Sequence, residues 1–374
     1  MKQIYFDKFY NTSDNIYDII IKNVSEDYIN MSSKSSKDKW EVPQYSKSQI
    51  NKAGKTIVDP NASKEDYNNA IKILNNWRAS HAYPLQVICS NLRLRNPNAI
   101  VVQRLKRLES ITGKIERFPD MNLYRMQDLG GCRVIVNDIE EVYESLNRYK
   151  NSRIRHKLKR ETDYIQNPKT SGYRSYHMIY QFHSDSKETY NKNMLIEIQF
   201  RTQLQHTWAT AVEMMGIYTK SNLKSSQGNE EILRFFVLVS SLFALQEDTP
   251  LCPDTPTSYS EIVKEIKEID RKNHIISALS GLNVVIDYVG NKKIKNQYYI
   301  LILDYEIKRV VVRHFNAKSI ETATKAYGEI EKIITPSQDA VLVSASSFDA
   351  LRTAYPNYFT DISGFVDLMR KIIS

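Results

Sequence analysis

The stretch at residues 194–202, MLIEIQFRT, constrains this chain more than any other. Side chains along a strand switch faces at every residue, so Ile196, Ile198 and Phe200 fall on one side and Glu197, Gln199 and Arg201 on the other. The apolar side needs a core. The other side carries a carboxylate, an amide and a guanidinium in one row. That row is either the solvated face of an ordinary amphipathic strand or the floor of a polar cleft, and the neighbouring segments decide which.

The 374 residues, 41% hydrophobic and 25% charged, suffice for two or three domains and have the balance of a soluble globular protein. No run approaches the roughly 18 apolar residues of a membrane span, and the opening MKQIYFDKFYNTSDN has no signal-peptide core. Cys89, Cys132 and Cys252 stand far apart with no CxxC pair. That argues against a disulfide framework or a structural zinc, and for a reducing, cytoplasmic setting. A net charge of +9 directs attention to phosphate-bearing partners, although a generally basic surface explains charge alone equally well.

Residues 1–64 are polar, with the tract SSKSSKDK at 32–39, and read as a helical extension without chemistry. Helical patterns follow over 66–77 and 84–94, and Arg78 and His81 between them read as capping or packing groups. Residues 99–105 are expected as a strand. If 109–118 is a helix, Ser110, Lys114 and Arg117 lie at i, i+4 and i+7 on one stripe, while Arg104 and Lys106 share a side of the incoming strand. Five phosphate-competent groups then converge at one strand–helix junction, arginine as a bidentate fork and lysine as a point charge. The competing reading is a solvated basic helix face. In QDLGGCRVIV, residues 127–136, Asp128 and Arg133 flank paired glycines that permit close ligand approach, and the carboxylate is a candidate magnesium ligand.

A helix over 138–149 leads into KNSRIRHKLKR at 150–160, which has six Lys/Arg, one His and no acid. Such a run is a solvated loop or strand, or else a surface for a phosphate backbone through Arg153, Arg155, Lys157, Lys159 and Arg160. In NPKTSGYRSYHMIYQF, 167–182, Tyr173 on the turn is expected to be exposed and able to stack on a base, a contact of about 1–3 kcal/mol. Lys169, Arg174 and His177 surround it with donors. Helices are expected over 204–218 and 232–245, then a three-proline linker at 247–260. The remainder reads as a long helix over 260–289, a hairpin of 298–304 and 309–315, a helix over 320–334, a strand at 340–344 and two helices ending at 373. No catalytic constellation stands out there.

Four motifs stand in order: Arg104-x-Lys106-x3-Ser110-Ile-x2-Lys114-x2-Arg117, Asp128-x2-Gly131-x-Arg133, Gly172-Tyr-Arg-Ser-x-His177 and Glu197-Ile-Gln-x-Arg-Thr202. Over residues 66–245 the chain resembles the synthetase domain of RelA/SpoT-type alarmone synthetases, which are pyrophosphokinases. The hydrolase half of that family has no counterpart, since no His is followed by Asp. The resemblance implies an α+β fold, with a mixed-sheet, nucleotidyltransferase-like synthetase domain flanked by helices and a small C-terminal α+β domain. It implies ATP as donor and Mg²⁺ as cofactor, held by Asp128 and Glu197, with Glu197 also deprotonating the attacking 3′-hydroxyl. Arg104 and Arg133 would sandwich the adenine, and Lys106, Ser110, Lys114 and Arg117 would take the phosphates. Tyr173 would stack on the acceptor base, with Lys169, Arg174, His177, Gln199 and Arg201 on the acceptor side.

The tail module, with Tyr355 and Tyr358 in AYPNYF, resembles the antitoxin part of CapRel-type fused toxin–antitoxins. Those proteins have a toxin similar to synthetases that pyrophosphorylate the tRNA 3′-CCA end. Tyr355 and Tyr358 would then be autoinhibitory, relieved by a phage protein such as a capsid protein; as bare residues they are simply packing aromatics. The expected layout is a 1–64 extension, a 65–246 synthetase, a 247–260 linker and a 261–374 regulatory domain. Expected partners are tRNA and a phage trigger, with no membrane and no DNA. The alternatives are a nucleotide alarmone synthetase making (p)ppGpp or (p)ppApp, and a catalytically silent RNA-binding or sensor protein.

Overall fold

Alternation and capping build the first part of the molecule. In this computed structural model the described residues are 40–374 except 220, 222, 224–227, 282–284, 290–296, 308, 317–318, 336 and 360–361, and side chains are not described at 285–289 and 357. Residues 1–39, with the tract at 32–39, lie outside them. Helix α1 (Lys47–Thr56) starts on a Ser46/Gln49 capping box, and α2 (Lys64–Ser80) on the Ser63 hydroxyl. Helix α3 (Ala82–Arg95) follows almost without a break. Then come β1 (Ile100–Leu105), α4 (Leu108–Arg117), β2 (Gly130–Val136), α5 (Ile139–Lys150), β3 (Lys157–Asp163), β4 (Tyr176–Gln181) and β5 (Leu195–Thr202). Helices α6 (Gln203–Tyr218) and α7 (Glu230–Gln246) complete this part, capped by Thr202 with Gln205 and by Asn229.

The C-terminal third adds α8 (Tyr259–Asn273), α9 (Ile275–Ser280), β6 (Val285–Val289), β7 (Gln297–Asp304), β8 (Arg309–Phe315), α10 (Ile320–Ile333), β9 (Gln338–Ala345), α11 (Phe348–Ala354), α12 (Pro356–Phe359) and α13 (Ser363–Ile373). The single helix expected over 260–289 does not form. His274 takes a left-handed backbone, φ 52°, which ends α8, and Val285–Val289 leaves helix altogether to pair with β8 in parallel. Three helices rather than two close the chain. The proline-rich stretch after α7 is not a free tether. Cys252 and Thr249 in it are buried, and Glu247 accepts from Thr202 and Gln205.

The fold is α+β, and among the described residues nine strands form one mixed sheet in the order β3-β4-β5-β2-β1-β9-β7-β8-β6. β2 and β5 run parallel, as do β6 and β8, and the other pairings are antiparallel. The two parts join at β1 and β9 through only two register pairs, Gln103 with Ser344 and Arg104 with Val343. On one face Val101, Cys132, Val134, Ile196, Ile198 and Phe200 pack against α1–α5 and α10 around Trp77, Ile88, Leu146 and Tyr327. On the other face Val102 and Ile135 continue into Tyr299, Leu301, Val341 and Val343, under Tyr355, Tyr358 and Phe359. A helical core of Trp208, Phe236, Phe243 and Phe365 holds α6–α9 and α13 together. Among the described residues no helix is long and apolar enough to cross a membrane.

Candidate active site

Strand register makes the polar row of β5 part of a wider surface. Glu197 lies opposite Gly131 of β2, which lies opposite Arg104 of β1. One step along, His177 of β4, Gln199, Arg133 and Val102 form the next row. The two glycines of β2 divide the work. A Cβ on Gly130 would meet Ile196 Cδ1 at 2.8 Å in the core, whereas one on Gly131 would meet nothing within 4 Å. Gly131 therefore leaves the sheet floor open between Glu197 and Arg104.

A hydrogen-bonded chain orders one end of this surface. The Tyr173 hydroxyl lies 2.7 Å from His177 Nε2, and His177 Nδ1 lies 3.0 Å from Glu197 Oε1. Gln199 donates to Glu197 Oε2 at 2.8 Å, and Arg201 donates to Gln199 Oε1 at 3.2 Å and to the Tyr173 hydroxyl. Lys169 Nζ sits 5.2 Å from the Tyr173 ring centre, and Tyr164 packs edge-on against both Tyr173 and His177. Burial opposes ionisation of Glu197, but the hydrogen bond and charge of His177 outweigh it and keep its pKa below the ordinary carboxylate value. Burial likewise disfavours a charged His177, yet Tyr173 and Glu197 raise its pKa. For Tyr173 burial is outweighed by Arg201 and His177, which bring the phenol down to about 7. The three groups thus share protons along one line ending at Glu197.

A second charged cluster is built at the β1–α4 junction. Lys106 and Lys114 donate to the two oxygens of Asp128 at 2.8 and 2.9 Å. Burial alone would raise the Asp128 acid, but the two lysines hold it at about 2. Glu197 is near enough to Asp128 for each charge to act on the other. Two carboxylates on an open floor fit a magnesium ion that takes one or two protein oxygens and otherwise binds substrate phosphates. Among the described residues there is no group of three or more His, Cys, Asp or Glu that could hold a metal by itself. Arg133 Nε and Arg201 Nε are buried donors without a hydrogen-bond partner among the described residues. Ser110 flanks this cradle and Arg117 is exposed at the end of α4.

Several expectations are redrawn. Tyr173 is half-buried in its hydrogen-bonded chain rather than free on a turn. Its loop needs Gly172, whose φ is +86° and whose Cβ would strike Trp208 at 2.9 Å. Arg174 does not face the acceptor residues: it is buried, and it donates to Ser240 Oγ at 3.0 Å and the Ile165 carbonyl at 3.1 Å, with Cys252 Sγ at 3.5 Å. It anchors the Tyr173 loop to α7. Arg153, Arg155, Lys157, Lys159 and Arg160 are all exposed on and before β3, the outermost strand.

The tail meets the site directly. Arg133 donates to the Ala354 carbonyl at 2.9 Å and its guanidinium lies 5.9 Å from the Tyr355 ring centre. The Tyr355 hydroxyl donates to the Gln103 carbonyl at 3.2 Å, and His206 Nε2 reaches the Thr353 carbonyl at 2.8 Å. Burial pushes the Tyr355 phenol up to about 12 even though Arg133 and Arg104 oppose that shift. The Tyr358 hydroxyl donates to Asp339 at 3.0 Å, and Asp339 is ion-paired with Arg107. Arg107, Asp339 and Tyr164 escaped the sequence reading. Arg107 was hidden within a basic run, and the other two have no local mark.

Residues 103–223 match the model of a region found in RelA/SpoT proteins. Two curated relatives from Bacillus subtilis (strain 168), GTP pyrophosphokinase YjbM and GTP pyrophosphokinase YwaC, are 34% and 33% identical over 135 residues. Each alignment covers 34% of this chain and 61% of the relative, so the chain spans under two thirds of their length. The small alarmone synthetase 1 from Bacillus subtilis bound to its product pppGpp is 23% identical, with a TM-score of 0.38 over 46% of this chain and 90% of that one. The surface described above, from Arg104 to Arg201, lies wholly within the residues that match this RelA/SpoT region.

Proposed function

We propose that the chain is an ATP-dependent pyrophosphokinase acting on a 3′-hydroxyl, with the tRNA 3′ end as preferred acceptor. The observation that carries this is the floor Glu197–Gly131–Arg104, flanked by Asp128 between two lysines. The acceptor hydroxyl gives its proton to Glu197, its oxygen bonds to the β-phosphorus of ATP, and the bond from that phosphorus to the α,β-bridging oxygen breaks to release AMP. Charge gathers on the transferring group and on AMP, so catalysis is positioning plus cationic stabilisation. Lys106, Lys114 and Arg117 supply cations on the phosphates, and Arg104 and Arg133 hold the adenine. Asp128 and Glu197 would hold Mg²⁺, which when bound neutralises phosphate charge.

Tyr355 packs where the adenine-side arginines stand, which supports a chain that covers its own donor site until a partner draws the tail away. A phage protein is the proposed trigger. The exposed basic run on β3 supports tRNA as acceptor. The printed names of the relatives support the second reading, a nucleotide acceptor such as GDP or GTP. Incubating the Tyr355→Ala chain with γ-labelled ATP, tRNA and free nucleotides separates the two: label on tRNA is expected, and label on nucleotides alone sinks the tRNA reading. A silent RNA-binding protein fits poorly with two retained carboxylates, and no transfer from a Tyr355→Ala chain would favour it.

A further inference from the structure

The C-terminal third also grips the first part of the chain from the opposite face of the sheet. Glu331 in the last turn of α10 accepts from Leu108 N–H at 3.2 Å, the first residue of α4. The same carboxylate makes a two-pronged ion pair with Arg78 of α2, one prong 2.9 Å long. Side-chain exposure is only 5% for Arg78 and 8% for Glu331. Arg78 reaches the Lys106 carbonyl at 3.4 Å, donates to Asn75 at 3.0 Å, and lies 5.2 Å from the Tyr327 ring centre of α10. Lys106 N–H in turn donates to the Leu129 carbonyl at 2.8 Å, beside Asp128. On the other face Arg107 is held by Asp339 and Tyr358. The link Lys106–Leu108, where β1 hands over to α4, is therefore gripped from both sides by the C-terminal third.

That link sets where Ser110, Lys114 and Arg117 stand relative to Arg104 and Asp128. The first N–H groups of a helix need outside acceptors, and a carboxylate there is favoured by the helix dipole. Here the acceptor comes from a segment more than 200 residues away, and its charge is locked by a buried arginine that also fixes the backbone at Lys106. We propose that Glu331 is a positioning residue for the phosphate cradle: the C-terminal third covers the adenine-side arginines through Tyr355 and, through Glu331, builds the phosphate side of the same site. This rests on reading α4 as the ATP cradle. Removing the whole module then removes cover and scaffold together, whereas Tyr355→Ala removes the cover alone.

The test uses the full chain carrying Tyr355→Ala, with ATP varied at saturating acceptor. Replacing the pair together, Arg78→Leu with Glu331→Leu, leaves no unpaired buried charge and removes the Leu108 cap. The expected result is a KM for ATP about tenfold higher with kcat within about twofold, and an intermediate KM for Glu331→Gln, which keeps an acceptor for Leu108 N–H. Where the double variant fails to fold, the isosteric Glu331→Gln carries the test through its KM for ATP and faster exchange of the Leu108 amide. A KM for ATP unchanged from the Tyr355→Ala parent, in a variant with an intact unfolding transition, overturns the inference and leaves the enzymatic reading standing. A Tyr355→Ala parent that neither binds nor uses ATP overturns both.

Discussion

The two ends of the one sheet treat their second face in opposite ways. On β7 every residue is buried, with Tyr299, Leu301 and Leu303 on the face covered by α11 and α12. On β5 and β2 the same face carries the polar row Glu197, Gln199, Arg201 and Arg133, and the tail packs against it at Arg133 and Ile135. A sheet sealed on both faces is stable and chemically mute; a sheet left open on one becomes a floor for reagents. Here the seal of the mute end overlaps the open end at Arg133 and Gln103.

Breaking the open end should cost most. With Tyr355→Ala in place, Glu197→Gln is expected to lower transfer about a hundredfold or more, measured as label moved from ATP, with little change in the unfolding midpoint. Activity that survives this change would remove Glu197 as the base. Acid should also find the open end first. Asp128 has its folded value at about 2, below the ordinary 3.8, so its pairing stabilises the fold above about 3.8 and the benefit is lost as pH falls toward 2. Nearly two pKa units correspond to roughly 2 kcal/mol, and urea unfolding of the chain and its Asp128→Asn variant should converge over that window. Curves that stay parallel would mean the two lysines do not hold this carboxylate.

Breaking the overlap should have a middling effect of opposite sign. Tyr355→Ala is expected to raise transfer and toxicity on expression about tenfold, the usual size of a coupling between two sites. An unchanged phenotype would reduce the overlap to packing. The smallest effect is expected at the far edge. Replacing Lys157, Lys159 and Arg160 by Ala together should alter stability by less than about 0.5 kcal/mol, because all three are exposed. The same change should flatten the salt dependence of tRNA binding by about two to three in log–log slope. An unaltered slope would move the acceptor elsewhere.

The open end was the more legible one, for a local reason. The alternation of residues 194–202 and the donor spacing from Arg104 to Arg117 are short-range patterns, and β5, β1 and α4 formed where they pointed. Arg174 shows the limit: in GYRSYH it looks like any other donor, and only packing against Ser240 and Cys252 turns it inward. The break at His274 was invisible because a left-handed residue there is neither Gly nor Asn. Val285–Val289 became a strand through β8, a partner outside any local window. Pairing of β1 with β9, and the reach of Glu331 to Leu108, join residues more than 200 apart, which periodicity cannot report.

The short seam between β1 and β9 also has a consequence for timing. Synthesis proceeds at about 5–20 residues per second, so the cleft-bearing part of the chain leaves the ribosome on the order of ten seconds before Tyr355 does. A nascent molecule at that stage carries every residue of its floor and none of its cover. If Glu331 builds the cradle, that interval is harmless, because α4 waits for the same late segment that brings the cover. Competence and restraint would then arrive together, within some two dozen residues of each other, and with tRNA as the acceptor no half-made copy would act on the translation machinery that is producing it.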